Sequence, residues 1–205
     1  VIFNKNVIAF VTVAAEFCAF LERAESMKRS TFVDTTLKIL PLLYLKASML
    51  PKCEMIGDES PETYVTEEIY EVLRINLASI LAEKDDYLEV FLPDMAYSDE
   101  PIKKNISEDL SDIYQDIKDF IFVFQLGLNE TMNDSLAICQ ENFGLLWGQK
   151  LVNTMRALHD VKYSSKARGE DEEEEEYEPE NNEDCHCEDD DCHCHDHGCH
   201  CHDDE

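Results

Sequence analysis

Three seven-residue repeats at the C-terminus contain side chains that bind metal ions. They read CHCEDDD, CHCHDHG and CHCHDDE, and each begins with Cys-His-Cys. Their thiol and imidazole groups belong to Cys185, His186, Cys187, Cys192, His193, Cys194, His195, His197, Cys199, His200, Cys201 and His202. At four ligands per tetrahedral ion, these groups fill at most about three closed sites of the zinc type.

The residue types in the repeats suit transition-metal ions. Thiolate and imidazole bind Zn²⁺, Ni²⁺ and Cu(I), whereas the interspersed carboxylates attract cations without competing as soft ligands. Ordering seven residues costs on the order of 7–14 kcal/mol of backbone entropy, and a structural zinc site returns roughly 10–16 kcal/mol. Because these quantities nearly cancel, the sequence predicts exchangeable, clustered metal binding rather than a preformed cage.

Three alternatives to metal binding fit the repeats less well. A purification tag would contain histidine without regularly spaced cysteine. A disulfide framework needs an oxidising compartment. A solvating acidic tail explains residues 170–184 but not the dense Cys and His content after them. In composition the repeats are similar, by analogy only, to the His- and Cys-rich tails of nickel metallochaperones and to metallothioneins.

Charge divides the chain into a body and a tail. The formal net charge is −29, and 19 of the 46 acidic residues lie in residues 170–205, which contain no Lys or Arg. The tail therefore carries about −19 and the rest about −10. Since Tyr177 is the only hydrophobic residue of the tail besides its cysteines, the tail is predicted to be disordered. We assign residues 1–163 to a helical domain, 164–184 to an acidic linker and 185–205 to the repeats.

This composition argues against two classes of partner. Binding to nucleic acid through phosphates needs a basic surface, and binding to an anionic membrane also needs basic residues.

No segment reaches the roughly 18 uninterrupted apolar residues that favour a membrane span. The apolar run at residues 7–15 resembles part of a signal peptide, but its spacing of three and four continues to Leu21, which favours a first helix.

Apolar spacing of three and four predicts that the body is built from helices. The predicted helices cover residues 5–28, 31–50, 65–82, 86–95, 98–125 and 131–162, with a loop at residues 51–61. Ser30 is the predicted N-cap of the second helix and Thr131 or Asn129 that of the last, while Pro41 should kink or restart the second helix. No stretch alternates with period two. The predicted fold is all-α, an antiparallel bundle of about five to six helices with a disordered, acidic, Cys/His-rich C-terminal tail.

The predicted helix at residues 98–125 contains a row of acidic residues. Asp109, Asp112, Asp116 and Asp119 recur at intervals of three, four and three. Such a row is compatible with a metal site or an acid–base pair, but we interpret it as a solvated face in the N-terminal half of a helix, where carboxylates favour the dipole. The FIFVF run after it is apolar on all sides, which indicates burial.

The body offers little recognisable catalytic chemistry. Its single histidine, His159, has Arg156 three residues before it, so the Glu-x-x-His motif of di-iron bundles is absent. No Gly-x-Ser-x-Gly turn or phosphate-binding glycine pattern occurs. We interpret His159 as a surface residue near a helix C-terminus, Cys18 and Cys139 as buried thiols, and Cys53 as a loop residue. No cofactor is expected for the body.

Three segments of the body resemble a known family. They are LPLLYLKASMLP, VTEEIYEVLRINLASI and the long run from SDEPIKKNISEDL to NTMRALHD. Together they resemble a bacterial domain-of-unknown-function family over most of residues 1–163. The resemblance implies an all-helical fold and a bacterial cytoplasmic setting, and it brings no activity or site residues.

These observations favour a non-enzymatic cytoplasmic protein. In this hypothesis a helical interaction module carries a tail that buffers, senses or delivers Zn, Ni or Cu(I). The alternative is a helical adaptor or regulator that binds a protein partner through its body, with an accessory or redox-responsive tail. An enzyme with a pocket between helices is the weakest hypothesis, because the sequence contains no identifiable acid–base pair.

Overall fold

The structure, a computed structural model, describes residues 1–89 and 102–167. By its internal contacts the chain divides into two compact units, Val1–Glu170 and Asp171–Glu205. All described residues belong to the first unit.

Six α-helices form most of the described fold. They are α1 (Lys5–Glu22), α2 (Arg29–Ser48), α3 (Glu67–Leu81), α4 (Ile106–Gln125), α5 (Asn129–Asn142) and α6 (Gly148–Ala167). Short 3₁₀ turns come after α1 and α3 at Ala24–Ser26 and Ala82–Lys84, and a π-helical turn at Phe143–Trp147 joins α5 to α6. The all-α helical bundle predicted from the sequence is therefore confirmed.

The core of the bundle surrounds α4. This helix packs against α1, α3, α5 and α6, and its apolar stripe, which includes Leu110, Ile113 and Ile117, is fully buried. The largest side chains buried around the stripe are aromatic, with Phe10 of α1 contacting both Phe120 and Trp147. A helix covered on several sides explains why its C-terminal half is apolar all round.

Two of the described helices, α1 and α3, begin with side-chain caps, and neither cap was predicted from the sequence. The Asn4 side chain accepts a hydrogen bond from the Asn6 amide at 2.8 Å, and Thr66 caps α3 through the Ile69 amide at 3.3 Å. The predicted caps were wrong: α2 begins after Lys28 and α5 after Leu128, both without a side-chain cap. Both helices are stabilised by packing, which overrides the local preference for a capping residue.

The second helix continues through Pro41. Of the two expected effects, a kink or a restart, the restart is wrong, because α2 is a single element of 20 residues. Proline removes one backbone donor and crowds the preceding turn. The Pro41 ring lies on the exposed side of α2, so it does not crowd the core.

A small antiparallel sheet replaces parts of two predicted helices. Strand β1 (Asp86–Leu88) pairs with β2 (Lys103–Asn105), and Tyr87 lies opposite Lys104. The helix predicted from residue 86 is therefore wrong for residues 86–89, and α4 begins at residue 106 rather than 98. The rest of these two predictions, at residues 90–101, lies outside the described residues.

Asp85 explains why α4 begins where it does. Its carboxylate accepts hydrogen bonds from the Ser107 amide at 2.7 Å and the Ser107 hydroxyl at 2.6 Å, and its carbonyl accepts from the Ile106 amide at 2.9 Å. A residue distant in sequence thus satisfies the first two amides of α4, one through its carbonyl and one through its side chain, as a local N-cap would.

The turn between α5 and α6 requires a glycine. The Gly148 amide donates to the Phe143 carbonyl, which is the five-residue spacing of a π-helix. A Cβ atom at Gly148 would lie 2.3 Å from that carbonyl oxygen and 2.9 Å from the Phe143 ring. At Gly144, in the same turn, a Cβ atom would meet nothing within 4 Å.

We therefore expect Gly148→Ala to destabilise the bundle by about 1–3 kcal/mol, because backbone would have to move to relieve the contact. Gly144→Ala is the matched control and should be neutral or stabilising by up to about 1 kcal/mol, since alanine favours helix. Chemical unfolding followed by circular dichroism measures both variants. Equal stability of Gly148→Ala and the parent protein would contradict the assignment of this turn.

Candidate functional site

The predicted metal ligands, from Cys185 to His202, lie outside the described residues. Within residues 1–89 and 102–167, no three His, Cys, Asp or Glu side chains are grouped so that they could hold a metal ion. Over the same ranges, no helix combines the length and the hydropathy that a membrane span requires. The chemistry available in the described part therefore lies in its buried polar groups and its cavities.

The acidic row of α4 faces other elements of the bundle, so its interpretation as a solvated face was wrong. Asp109 is only 4% exposed, and Asp112, Asp116 and Asp119 are half-buried. Burying a carboxylate is costly unless it is paired or hydrogen-bonded. Each of the four accepts a hydrogen bond from a group outside α4, which explains how they are accommodated.

Two of these aspartates form a cluster with Lys150 of α6. The Tyr87 hydroxyl donates to Asp109, the Tyr70 hydroxyl donates to Asp112 at 2.7 Å, and the Lys150 ammonium donates to Asp112. Lys150 also lies 3.9 Å from Asp109. We call these five residues the Asp109–Lys150 cluster. It connects α3, α4, α6 and β1 through polar contacts.

The electrostatics of the cluster follow from its burial. Burial raises the pKa of Asp109 to about 6, although the Tyr87 hydrogen bond and the charge of Lys150 act in the opposite direction. For Lys150, burial favours the neutral amine, but the carboxylates of Asp112 and Asp109 outweigh it and raise the pKa. The pKa of Tyr87 is also raised, first by burial and then by Asp109.

The other two aspartates hold a neighbouring loop and helix. Asp119 accepts hydrogen bonds from the Tyr64 and Val65 amides, each at 2.7 Å, and Asp116 accepts from the Asn142 amide group at 2.5 Å. Burial raises the pKa of both carboxyls. Both line a cavity of about 410 Å³ between α4, α5 and residues 60–63.

Side chains of α5 fix the long loop between α2 and α3. The Asp134 carboxylate accepts from the Ile56 and Gly57 amides at 2.7 and 2.9 Å. Gln140 accepts from the Cys53 amide at 3.0 Å. The loop predicted at residues 51–61 is confirmed, and these contacts show that its backbone is tied to the bundle at several points.

The three body cysteines have the surroundings that the sequence predicts. Cys18 and Cys139 are 2% and 1% exposed, and Cys53 lies in the loop. Burial raises the pKa of Cys18 to about 12 and raises that of Cys139 as well. Since the thiolate is the reactive and metal-binding form, these two thiols are inert in the folded bundle.

A second cavity, of about 670 Å³, runs between α2 and α6, and we call it the α2–α6 groove. Its apolar side chains belong to Leu37, Pro41, Tyr44, Val152 and Met155. Its polar and charged side chains, together with Tyr163, belong to Asp34, Lys38, Arg156, His159 and Lys162. The sequence did not reveal this groove, because its two walls are separated by more than one hundred residues.

His159 is a surface residue, as the sequence predicts. Its imidazole is exposed and packs against the Tyr163 ring, with 4.5 Å between the ring centroids. The predicted position near a helix C-terminus is only approximate, because α6 continues for two further turns to Ala167. That distance is beyond the reach of the favourable dipole effect, which is confined to the last turn.

The fold defines the class of protein as an all-α helical bundle, and comparison with known proteins gives the family. Residues 1–164 match the family described as Domain of unknown function (DUF5063), and the chain belongs to this family. This confirms the family resemblance drawn from the sequence. No curated protein is similar to the chain.

The chain is also similar to a solved structure. It is the crystal structure of protein BF1032 from Bacteroides fragilis, which is 90% identical. The similarity covers 82% of this chain and 98% of that chain, with a TM-score of 0.74. The similar region is thus large enough to contain the whole described bundle but not the whole chain.

The raised pKa of Asp109 predicts a definite pH dependence of stability. Between about pH 4 and pH 6 the folded state binds more protons than the unfolded state, so this carboxyl makes the free energy of unfolding fall as the pH rises. Asp109→Asn removes that contribution. As the pH rises from about 4 to about 6, the free energy of unfolding of the variant should increase relative to that of the parent protein by up to about 3 kcal/mol, since one pKa unit corresponds to about 1.4 kcal/mol.

Asp134→Asn is the control with the opposite sign. Although burial acts against it, the Ile56 amide, Asn133 and the Gly57 amide lower the pKa of Asp134. Its charge therefore stabilises the fold above its unfolded-state pKa, and that contribution is lost as the pH falls. Denaturant unfolding of all three proteins, from below the unfolded-state pKa of Asp134 up to pH 6, tests the pair. Parallel pH profiles for the two variants would contradict the assignment.

Proposed function

We propose that this protein binds transition-metal ions, of the Zn²⁺, Ni²⁺ or Cu(I) class, through its three C-terminal repeats. The observation that carries the proposal is the recurrence of Cys-His-Cys at Cys185, Cys192 and Cys199. Soft thiolate and imidazole ligands at this density favour these ions over Mg²⁺ or Ca²⁺. The function is buffering, sensing or delivery of the metal, without catalysis by the helical body.

A reducing cytoplasmic setting fits this chemistry. Free thiols persist there, whereas they form disulfides in oxidising compartments. The neighbouring carboxylates disfavour thiolate formation in the metal-free repeats, and the metal must therefore displace protons from the thiols. Affinity should weaken as the pH falls.

The contrast between body and tail supports assignment of the metal ligands to the tail. The Cys18 and Cys139 thiols are buried, and their raised pKa values keep them protonated. The pKa of Cys53 is also raised by partial burial, and its thiol donates a hydrogen bond to the Asn133 side chain at 3.2 Å. Within the described part of the chain, none of these three side chains belongs to a group that could hold a metal.

The second candidate function is a helical adaptor with an accessory tail. The α2–α6 groove favours it, because Tyr44, Val152 and Tyr163 expose between 40% and 51% of their surface at this one place. Apolar side chains that cluster on a polar surface are typical of interaction sites. Both functions are compatible in one chain, and they are separated by experiments on different residues.

Metal titration of the full-length protein tests the first function. Under reducing conditions the full-length chain should bind up to about three ions, as its ligand number allows. Cobalt should give the absorption bands of thiolate-to-metal charge transfer. A full-length variant with serine at Cys185, Cys187, Cys192, Cys194, Cys199 and Cys201 should lose these bands, and its affinity should fall.

Two further proteins serve as controls for the titration. A chain that ends at Lys166 lacks all the proposed ligands and should bind none of the ions tightly. Replacement of Cys53 by serine removes a body thiol instead and should leave the stoichiometry of the full-length chain unchanged. Equal stoichiometry in the full-length and shortened proteins would refute the assignment of metal binding to the tail.

A further inference from the structure

The α2–α6 groove combines an apolar floor with a cationic rim. Leu37 and Met155 are half-buried at its base, whereas Tyr44 and Val152 are 40% and 44% exposed. Lys38, Arg156 and Lys162 provide its positive charges, and Asp34 is the one acidic side chain among the described residues that line it. Three cations and one carboxylate give the groove a net charge of about +2 when His159 is neutral.

The sign of this charge is opposite to that of the surrounding protein. Residues 1–169 carry about −10 overall, so a groove with net positive charge is a local exception. Complementary potentials guide an oppositely charged partner to such a site and disfavour other orientations. The groove is therefore suited to a ligand with negative charge.

Asp34 holds two of the cations in place. Its carboxylate accepts hydrogen bonds from Lys38, at 2.5 Å, and from Lys162 on the opposite helix. These two ammonium groups lower the pKa of Asp34 to about 2, so it remains ionised at neutral pH. One carboxylate shared by two lysines leaves each ammonium with donor capacity, because an ammonium group has three N–H bonds.

Arg156 extends the positive rim towards the small sheet. Its guanidinium donates to the Leu88 carbonyl at 2.7 Å and lies 5.8 Å from the centroid of the Tyr87 ring. The residue is exposed, and a guanidinium carries five N–H donors in a fixed plane. These contacts orient the group and leave further donors for a carboxylate ligand.

We propose that the α2–α6 groove binds an acidic peptide segment of a partner protein, in which carboxylates alternate with apolar side chains. The carboxylates would pair with Lys38, Lys162 and Arg156, and the apolar side chains would cover Tyr44 and Val152. A free inorganic anion matches only the rim, since it would leave the apolar floor of a cavity of about 670 Å³ uncovered. Binding of such a peptide does not depend on metal binding by the tail.

The test uses the full-length protein and a fluorescent synthetic peptide that alternates glutamate with leucine and tyrosine. Lys38→Gln combined with Lys162→Gln should weaken peptide binding about tenfold, because complementary charges contribute to affinity. Lys5→Gln combined with Lys52→Gln removes the same charge from exposed positions outside the groove and should change the affinity little. Binding should also weaken with added salt.

A second pair of variants tests the apolar floor. Val152→Ser should weaken binding several-fold, because it removes apolar contact area. Val72→Ser is its matched control, since Val72 is an exposed helical valine on α3, 56% exposed, outside the groove. Circular dichroism establishes that each variant is folded.

Several outcomes would overturn the proposal. They are no binding of the peptide, equal binding of a peptide with glutamine in place of glutamate, or displacement of the peptide by inorganic phosphate at equal concentration. Equal effects of the groove variants and their controls would overturn it as well. Chemical-shift changes on peptide addition should fall on amides of α2 and α6, and changes confined to other helices would also contradict it.

Discussion

The burial of carboxylates on the central helix is the constraint on which the rest of the described structure depends. α4 packs against α1, α3, α5 and α6, so the four aspartates of its acidic row are buried or half-buried against other elements. A buried charge that loses its partner costs several kcal/mol. Each aspartate must therefore be supplied with donors, and the donors come from Tyr87 of β1, Tyr70 of α3, Asn142 of α5 and the backbone of the α2–α3 loop. Satisfying these carboxylates fixes where the irregular segments lie.

The location of most described helices was predictable from the sequence, whereas the small sheet and the role of the acidic row were not. The apolar stripe of α4 at Leu110, Ile113 and Ile117 repeats at helical spacing and could come only from a helix with a buried face. The aspartates would have the same spacing whether their side of the helix faced solvent or faced hydrogen-bond donors from other elements. Their partners lie far away along the chain: the donor of Asp109 is 22 residues away, and a donor of Asp119 is 55 residues away. Local pattern contains no information on such pairs. Each strand has only three residues, too few for a period of two to be recognised.

The two proposals concern different parts of the chain and different chemistry. In the bundle, the thiols are buried or half-buried and their pKa values are raised, and the α2–α6 groove offers cations and apolar surface. In the tail, the sequence supplies thiols and imidazoles at a density that the body lacks. The repeats were recognisable from the sequence because their ligands lie close together along the chain. The groove was not recognisable, because its two walls come from α2 and α6, which are far apart in the sequence. An adaptor that also carries exchangeable metal would place ions at a raised effective concentration near its bound partner.

Hydrogen exchange at the α2–α3 loop tests the central constraint most directly. If Asp119 and Asp134 hold this loop, the amides of Tyr64, Val65, Ile56 and Gly57 should exchange slowly although they lie outside helices and strands. Asp119→Ala should then release protection at Tyr64 and Val65 while Ile56 and Gly57 keep theirs. Fast exchange of the Tyr64 and Val65 amides in the parent protein would contradict the account, because the Asp119 carboxylate of α4 would then not hold the loop.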